Sequence, residues 1–342
     1  MKLKRWQLWV GLIISAVFLF LALRNVSFTE VWLHLKRANF WWLIPGITVY
    51  FLGVYTRAWR WKLLLNPLKL LPVHKIFPII NIGYMGNNIY PARAGEILRS
   101  ILLKKKFDIS ISASLATIVV ERILDALVII GFVLLNLGQL SVGIDQVNLK
   151  NIVNNLAFIG GIVFLFILGL FILVTIYPKQ ARKIIDWLIN KILPQRIRQQ
   201  VRNIANSFLE GLSSLHSFSS LFLLLLLTAL IWTLETVLYW AVMKAMGLQL
   251  SFLTLMLLNG VINLVLLVPA APGGLGTFDA ACKTFLEAFG IASELALGYT
   301  LVLRIVLWLP ITLLGAYYFL REGLHWNQDF ENMTDDSIDE PF

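Results

Sequence analysis

The residues best suited to chemistry lie in one stretch, Asn81 to Arg99, which begins as an apolar membrane-like segment and then turns polar. Its second half contains Pro91 and Gly95. Proline lacks an N–H and glycine favours non-helical backbone, so a membrane helix is expected to break here. Irregular backbone with ionisable groups is tolerated at membrane depth only where protein covers it or where it lines a watery cavity. The stretch therefore predicts a site inside a membrane protein.

The charged side chains of this first break favour an anionic ligand. A helix that restarts after Gly95 presents free N–H groups and the positive end of its dipole. Guanidinium groups beside that end offer a planar fork that suits phosphate oxygens. Glu96 would cap the helix, pair with an arginine or bind an amine headgroup. The alternative is a structural Arg–Glu pair that only holds the segment together. The candidate residues are Asn88, Pro91, Arg93, Gly95, Glu96 and Arg99.

A second break, Pro269 to Asp279, has a similar design with fewer charges. Thr277 is predicted to cap the helix that follows, with Asp279 in its first turn. The glycines miss the GxGxxG spacing and no strand precedes them, which excludes a dinucleotide loop. The candidate residues of this break are Pro272, Gly273, Gly276, Asp279 and, on the next apolar segment, Arg304.

Three charged residues, Glu121, Arg122 and Asp125, lie within one predicted span. The two carboxylates are four residues apart and share a helix face. They would serve as an acid/base or proton-coupling pair, or they would neutralise buried arginines, with Arg304 or Arg93 as the expected partners. Because charges inside membranes are usually paired, the second interpretation is favoured.

The composition is that of a polytopic membrane protein. Of 342 residues, 58% are hydrophobic and 14% are charged, against about 25% charged in soluble domains. A net charge of +10 on such a chain indicates cytoplasmic loops and anionic headgroups rather than nucleic acid. One cysteine and four scattered histidines predict neither a disulfide nor a metal site. No catalytic motif, phosphate-binding loop or cofactor site is recognised, and we expect no enzymatic activity.

The apolar segments predict an all-α membrane fold of about six spans. The basic, apolar N-terminus resembles a signal peptide, but its long apolar run lacks a small-residue cleavage site, so it is interpreted as a retained span. The connector after it, Arg24 to Asn39, is expected to hold one interfacial turn at most. Arg57, Arg60 and Lys62 are interpreted as the cytoplasmic end of the second span. The predicted spans are Trp6 to Leu23, Phe40 to Leu65, Ser110 to Leu137, Leu156 to Tyr177, Phe218 to Met246 and Glu294 to Leu320.

The two breaks predict two re-entrant helical hairpins, in residues 78–103 and 252–289. Their patterns align as Pro91-x3-Gly95 and Pro272-x3-Gly276, and each is followed at nearly the same distance by an arginine, Arg122 or Arg304. Counting spans from a cytoplasmic N-terminus places the first hairpin inside and the second outside. Opposed units of this kind occur in inverted-repeat transporters. The alternative is chance, because Pro and Gly cluster in many membrane hairpins.

Two polar regions complete the predicted organisation. Residues 179–216 form a basic insert within one transmembrane domain, 1–322, and are expected to include an amphipathic helix along the inner leaflet. That helix would be either a solvated basic face or a specific lipid binder. Residues 323–342 read as an acidic disordered tail. Both termini are expected to be cytoplasmic, in a bacterial-type inner (plasma) membrane.

The motifs PARAGEILR at 91–99, ERILD at 121–125 and PGGLGTFD at 272–279, followed by a span with Arg304, resemble a known family. It is the flippase-like family related to the membrane half of bacterial lysylphosphatidylglycerol synthases, and the resemblance runs from about Trp6 to Leu320. It implies lipid translocation or handling of lipid-linked substrates, with the residues of the two breaks and of the 121–125 motif as substrate-binding residues. No soluble aminoacyl-transfer domain follows the last span, so synthase activity is expected to be absent.

The sequence therefore predicts a translocator of an anionic phospholipid or a lipid-linked species. One alternative is a membrane-embedded transferase on a lipid-linked substrate, with Glu96 or Glu121 as base. Another is a lipid-binding partner of a separate synthase, and a homo-oligomer is compatible with each of these. Membrane lipids are the expected partners, and nucleic acid is not.

Overall fold

The computed structural model describes residues 5–24, 26–90, 94–137, 147–192, 218–266 and 272–322, with single positions 194, 195, 198, 199, 202 and 206. Pro91, Arg93, Pro269 and the acidic tail therefore lie outside the described residues. Across the described ranges all regular structure is helical, as the sequence predicts.

These ranges contain twelve α-helices and two short 3-10 turns, Phe40–Trp42 and Pro272–Gly274. The helices fall at the positions predicted for spans and half-helices, except that the connector after α1 contains a ten-residue helix rather than a single turn. They are α1 Arg5–Leu23, α2 Phe28–Arg37, α3 Leu43–Leu65, α4 Val73–Ile89, α5 Ala94–Phe107, α6 Ile111–Asn136, α7 Val147–Ile176, α8 Pro178–Ile192, α9 Phe218–Ala245, α10 Phe252–Val265, α11 Thr277–Ala288 and α12 Ser293–Arg321.

Three described helices are long and apolar enough to cross a membrane: α7 over Phe158–Ile176, α9 and α12. A fourth is added if the bent pair α1 and α2 counts as one span. Helices α3 and α6 have 23 and 26 residues, but each carries three charged side chains. Helices α4, α5, α10 and α11 have only 12 to 17 residues, short of the roughly 20 that a span needs. The chain is a multi-pass membrane protein, and the count of six spans stays a prediction.

The α4–α5 segment starts and finishes at the same end of the bundle. Lys69 Nζ, in the loop before α4, donates to the Phe107 carbonyl at the end of α5, at 2.9 Å. Lys106 forms an ion pair with Glu322, directly after α12. We call this end, formed by residues 66–72, 104–110 and 321–322, the basic end.

The α10–α11 segment starts and finishes at the other end. The Asn39 N–H donates to the Ala245 carbonyl at 2.8 Å, which places the start of α3 beside the end of α9. Asn136 Nδ2 contacts Met256 Sδ at 3.4 Å, so α6 ends beside the first turns of α10. A Cβ on Gly298 would lie 3.1 Å from Met246 Cε, so α12 also begins here. We call residues 39–42, 136–137, 245–252 and 290–298 the opposite end.

The helices pack in a pattern that repeats across the two halves of the chain. Helix α3 packs against α9, and each of them packs against the first helix of its own half's broken segment, α4 or α10. The broken segments then exchange partners, because α4 packs against α12 whereas α10 packs against α6. This reciprocal packing relates α3–α6 to α9–α12, and it supports the repeat that the two breaks predict from sequence.

Glycines permit the closest helix contacts in this arrangement. A Cβ on Gly95 of α5 would collide with the Gly83 carbonyl of α4 and would lie 2.8 Å from the Asn87 nitrogen. On α12, a Cβ on Gly315 would lie 2.6 Å from Met85 Cβ of α4. Helix α4 is thus held against both neighbours by backbone-to-backbone contact, as is usual where small residues line helix interfaces in membranes.

Candidate functional site

Six charged side chains on three helices form a closed ring of alternating sign. On α3, Arg60 Nη1 donates to Asp125 Oδ1 at 2.6 Å and Nη2 donates to Glu121 Oε1 at 3.2 Å. The other Glu121 oxygen accepts from Arg99 Nη2 of α5 at 2.8 Å. Arg122 Nη2 lies 3.3 Å from Asp125 Oδ2 and its Nε lies 3.6 Å from Glu96 Oε1. Glu96 and Arg99 share one turn of α5, which closes the ring.

The ring contains three guanidinium groups and three carboxylates, so its formal net charge is zero. Charges at this depth are tolerated when they are paired and hydrogen-bonded, because unpaired ions are costly to bury. Four members are buried: Arg60, Arg99, Glu121 and Asp125. Arg60 also donates to Thr228 Oγ1 of α9 at 2.9 Å, and Trp232 Nε1 donates to Asp125 Oδ1 at 3.2 Å. The ring therefore joins α3, α5, α6 and α9.

Only one side of the ring is open. The side chains of Arg122 and Glu96 are 36% and 21% exposed, whereas the other four are nearly inaccessible. Arg122 is therefore the most exposed guanidinium of the ring and the one open to a ligand.

A separate ion pair joins the two halves beside the ring. Arg57 Nη2 of α3 donates to Glu235 Oε2 of α9 at 2.7 Å, and Nη1 donates to the Tyr84 hydroxyl of α4 at 3.0 Å. The same guanidinium lies 5.2 Å from the centre of the Trp232 ring, a cation–π distance.

At the first break, the polar side chains point to different neighbours. Asn87 Oδ1 accepts the Gly95 N–H at 2.9 Å and so caps the start of α5. Asn88 Nδ2 instead donates across to Thr312 Oγ1 of α12 at 2.8 Å. Asn88 therefore does not meet Glu96 and Arg99, because Arg99 and Glu96 face α6 while Asn88 faces α12.

The second break is held by a bidentate ion pair between Arg304 and Asp279. Arg304 Nε and Nη2 donate to the two Asp279 oxygens at 2.7 and 2.8 Å, and Nη2 also donates to the Gly274 carbonyl at 3.1 Å. Asp279 Oδ2 accepts the Gly276 N–H at 2.9 Å. Gly276 has a φ of 83°, which favours glycine, and it rather than Thr277 is the N-cap of α11.

The two breaks meet on α12. A Cβ on Gly273 would lie 3.0 Å from Trp308 Nε1 and 3.6 Å from the Asn88 carbonyl. The end of α4 thus lies against the Pro272–Gly274 turn. The breaks approach from opposite ends of the bundle, so this junction lies between the ends.

Of the two partners expected for the carboxylates on α6, Arg304 is wrong, whereas Arg93 stays a prediction. Glu121 and Asp125 neutralise arginines, as favoured, but the arginines are Arg60, Arg99 and Arg122 rather than Arg304. Arg304 already has Asp279, and Arg93 lies outside the described residues. Arg57 and Arg60 are likewise not exposed markers of a cytoplasmic end, because both are buried in ion pairs.

Arg57, Arg60 and Glu235 are the residues that sequence reasoning missed as part of the site. The sequence signal for these residues was an arginine pair in one largely apolar segment and a lone glutamate in another. Each of these charges requires a partner at membrane depth. In the described part of the chain, no three His, Cys, Asp or Glu side chains are grouped so as to hold a metal ion.

Comparisons with known proteins identify the chain as a membrane protein of a known family. A family described as the lysylphosphatidylglycerol synthase TM region matches residues 8–315. A UPF0104 membrane protein of Methanothermobacter thermautotrophicus is 26% identical over 288 residues, which cover 81% of this chain and 83% of the relative. A UPF0104 membrane protein of Pyrococcus horikoshii is 24% identical over 304 residues, which cover 84% and 89%.

One similar protein carries the name of an enzyme. The glycosyltransferase AglD of Haloferax volcanii is 24% identical over 264 residues, which cover 69% of this chain but only 41% of that protein. More than half of the glycosyltransferase therefore has no counterpart in the match.

Proposed function

Because this chain belongs to the family of the lysylphosphatidylglycerol synthase TM region, we propose that it moves a lipid with an anionic or lipid-linked headgroup between the leaflets of its membrane. The observation that carries the proposal is the junction of the two breaks, where Asn88 and Gly273 meet beside Trp308. Interrupted helices that meet in the middle of a repeated bundle are the usual substrate site of inverted-repeat transporters.

The topology that we propose has six spans and two opposed re-entrant hairpins. Helices α1, α3, α6, α7, α9 and α12 would cross, with α4–α5 entering from the basic end and α10–α11 from the opposite end. Two contacts support it: Lys69 with Phe107 at the basic end, and Asn136 with Met256 at the other. Three crossings per half would invert the second half relative to the first. The basic end would face the cytoplasm of a plasma membrane and carry both termini.

Arg122 is the residue that we propose as the headgroup contact. Its guanidinium is the open member of a neutral ring, and its two carboxylate neighbours, Asp125 and Glu96, lie 3.3 and 3.6 Å away. A phosphate oxygen would bind such a fork strongly. Arg93, three residues before Glu96 in the chain, is a second candidate for the same headgroup. Arg304 is a weaker candidate, because Asp279 already occupies its fork.

A transferase is the second function to consider, because one relative is named a glycosyltransferase. Both Glu121 oxygens accept from arginines, which leaves it poorly suited as a base. Glu96 is the remaining candidate. However, the membrane region is shared by proteins named for two different transfers, of a lysyl group and of a glycosyl group. A common role in handling the lipid explains this sharing more simply than either reaction does.

Lipid accessibility in proteoliposomes tests the translocation. The purified chain would be reconstituted with fluorescent phospholipids of several headgroups and with a lipid-linked glycan, and the fraction bleached from outside would be followed over time. We expect the wild type to raise the bleached fraction for at least one anionic or lipid-linked species. Arg122→Gln should slow the rise of the bleached fraction, whereas Arg321→Gln, at the end of α12, should leave it unchanged.

A double variant separates a binding role from a structural one. Arg122→Gln alone leaves the ring with a net charge of −1, and Arg122→Gln with Glu96→Gln restores neutrality. If Arg122 only balances charge, the double variant should regain activity; if it holds the headgroup, both variants stay slow. No change in lipid accessibility with the wild type across the whole panel would contradict translocation, and a covalently altered lipid in cells overproducing the chain would favour the transferase.

A further inference from the structure

The two short amphipathic helices α2 and α8 carry the same sequence pattern. Helix α2 contains Trp32-Leu33-x-x-Lys36 and α8 contains Trp187-Leu188-x-x-Lys191. In each helix the lysine ammonium lies over the tryptophan ring four residues earlier, at 5.6 Å in α2 and 4.5 Å in α8. Each follows a long apolar helix, α1 or α7, and precedes a helix of the matched pair α3 and α9. The order of the elements therefore repeats as α1–α6 and α7–α12.

Both helices bury some of their apolar side chains and leave others exposed. Trp32 and Trp187 are each 57% exposed. Beside them Phe28 and Leu33 on α2, and Ile184 and Leu188 on α8, are exposed as well. A large apolar face open to the surroundings on a short helix is typical of a helix lying in a membrane interface. Tryptophan favours that depth, and a lysine beside it extends its ammonium toward the headgroups.

The positions of the helices agree with two different interfaces. Helix α7 runs along α6 with Gly160 near Leu134 and Phe164 near Gly131, so it descends from the opposite end toward the basic end. Only 11% of its most apolar stretch is buried inside the protein, so α7 is a lipid-facing span. Helix α8 begins directly after it, at the basic end. Helix α2 ends at Arg37, next to Asn39 at the opposite end.

The charges differ between the two helices. Helix α8 carries Lys179, Arg182, Lys183 and Lys191 against a single acid, Asp186. Helix α2 carries Lys36 and Arg37 against Glu30, and it packs against α12. Helix α8 is thus the more basic of the two and is suited to an anionic surface.

We propose that α8 lies in the membrane interface at the basic end and binds anionic lipid headgroups, and that α2 holds the equivalent place in the other leaflet. The bilayer surface is the occupant that explains these features together: the exposed tryptophan, the lysine above it, the excess of basic charge and the start of α8 where a lipid-facing span ends. This role is independent of whether the protein translocates lipid.

Spin labels at introduced cysteines test the depth, because the single native Cys282 is fully buried. The full chain would be labelled at Leu188→Cys or, as the matched control on the polar face, at Lys183→Cys, and placed in phosphatidylglycerol nanodiscs. We expect the label at 188 to be reached by oxygen and shielded from a water-soluble nickel complex, and the label at 183 to show the reverse. The unmodified chain, labelled in parallel, gives the background.

The lipid that stays bound during purification tests whether the basic residues of α8 bind anionic headgroups. The triple variant Lys179→Gln, Arg182→Gln, Lys183→Gln should retain less phosphatidylglycerol relative to phosphatidylcholine on gentle purification, by roughly fivefold for each basic residue at low salt. The pair Lys36→Gln, Arg37→Gln on α2 should change this ratio less. A label at 188 that the nickel complex reaches freely, or one shielded from both reagents by a second copy of the chain, overturns the interface position. An unchanged lipid ratio in the triple variant overturns the headgroup preference.

Discussion

At the scale of residues, the chain concentrates its buried charge in a neutral ring with one open side. Arg60 is its central cation, because it reaches Asp125, Glu121 and Thr228 with two nitrogens. Interactions among buried ions are strong, but each ion also loses its hydration, so the net benefit depends on complete pairing. The ring therefore makes α3, α5, α6 and α9 depend on one another.

Arg60→Gln should destabilise the protein strongly. The change leaves three carboxylates with two arginines, and breaking a buried pair by removing one partner costs about 3–5 kcal/mol. Arg60→Gln combined with Asp125→Asn should recover part of this loss, because the pairs Arg99–Glu121 and Arg122–Glu96 would remain neutral. Unfolding midpoints in mixed micelles would measure the stability of the single and the double variant, with Arg202→Gln as the control.

The control removes a partly exposed pair, Arg202 with Asp186, and should change stability by less than about 1 kcal/mol. A double variant less stable than Arg60→Gln alone would show that geometry, rather than charge balance, dominates in the ring.

Arg304→Lys should loosen the second break while keeping its charge. Lysine cannot reproduce the bidentate contact with Asp279 or the contact with the Gly274 carbonyl. We expect a loss of about 1.5–3 kcal/mol, the usual worth of hydrogen bonds to charged groups, together with faster proteolysis between α10 and α11. Unchanged proteolysis would argue that other contacts hold this turn.

At the scale of elements, each broken segment packs against a long helix of the other half. Helix α4 is fixed to α12 through Gly315, and α10 to α6 through Gly260, where an added Cβ would lie 2.5 Å from Val133 Cγ2. Relative movement of the two halves must therefore move a broken segment against its own neighbours. This coupling fits the translocation proposed above, in which one half would move against the other.

Gly95→Ala should separate α4 from α5. The new Cβ has no space beside the Gly83 carbonyl and the Asn87 nitrogen, so the helices must move apart or α5 must lose its cap. Overpacking of this kind costs about 1–3 kcal/mol. Gly161→Ala on α7 is the matched control, because nothing lies within 4 Å of its added Cβ, and it should be neutral. Equal unfolding midpoints for the two variants would contradict the close contact.

At the scale of the whole molecule, the two ends of the bundle differ in charge. The basic end holds Lys69 and Lys104 to Lys106, whereas the opposite end holds the aromatic residues Phe40, Trp41 and Trp42. Membrane proteins keep basic residues on the cytoplasmic side. The proposed topology makes these two ends face different compartments.

Thiol labelling from one side of the membrane would show which compartment each end faces. Leu70→Cys at the basic end and Trp41→Cys at the opposite end both place a thiol at a highly exposed position. In intact cells an impermeant maleimide should label Trp41→Cys and label Leu70→Cys only after the membrane is opened. The unmodified chain should stay unlabelled because Cys282 is buried. Labelling of both variants in intact cells would contradict the six-span topology.

Composition and local pattern were sufficient for the helices on either side of the two breaks. Apolar runs, Pro and Gly placement and the Pro-x3-Gly pattern act within a few residues of each other, so they predict α4 to α6, α10 to α12 and the membrane class without knowledge of neighbours. The same is true of the amphipathic helix in the basic insert. Local reasoning also favoured paired charges on α6, because unpaired ions are costly in a membrane.

Only the tertiary structure decided which charges pair. Arg60 and Asp125 are 65 positions apart and Arg57 and Glu235 are 178 apart, and no local pattern joins them. Arg60 was interpreted as a cytoplasmic marker because its place near the end of a span looked the same from sequence in either role. Packing of α3 between α6 and α9 buries it, and burial is what turns a surface arginine into the centre of a charge ring.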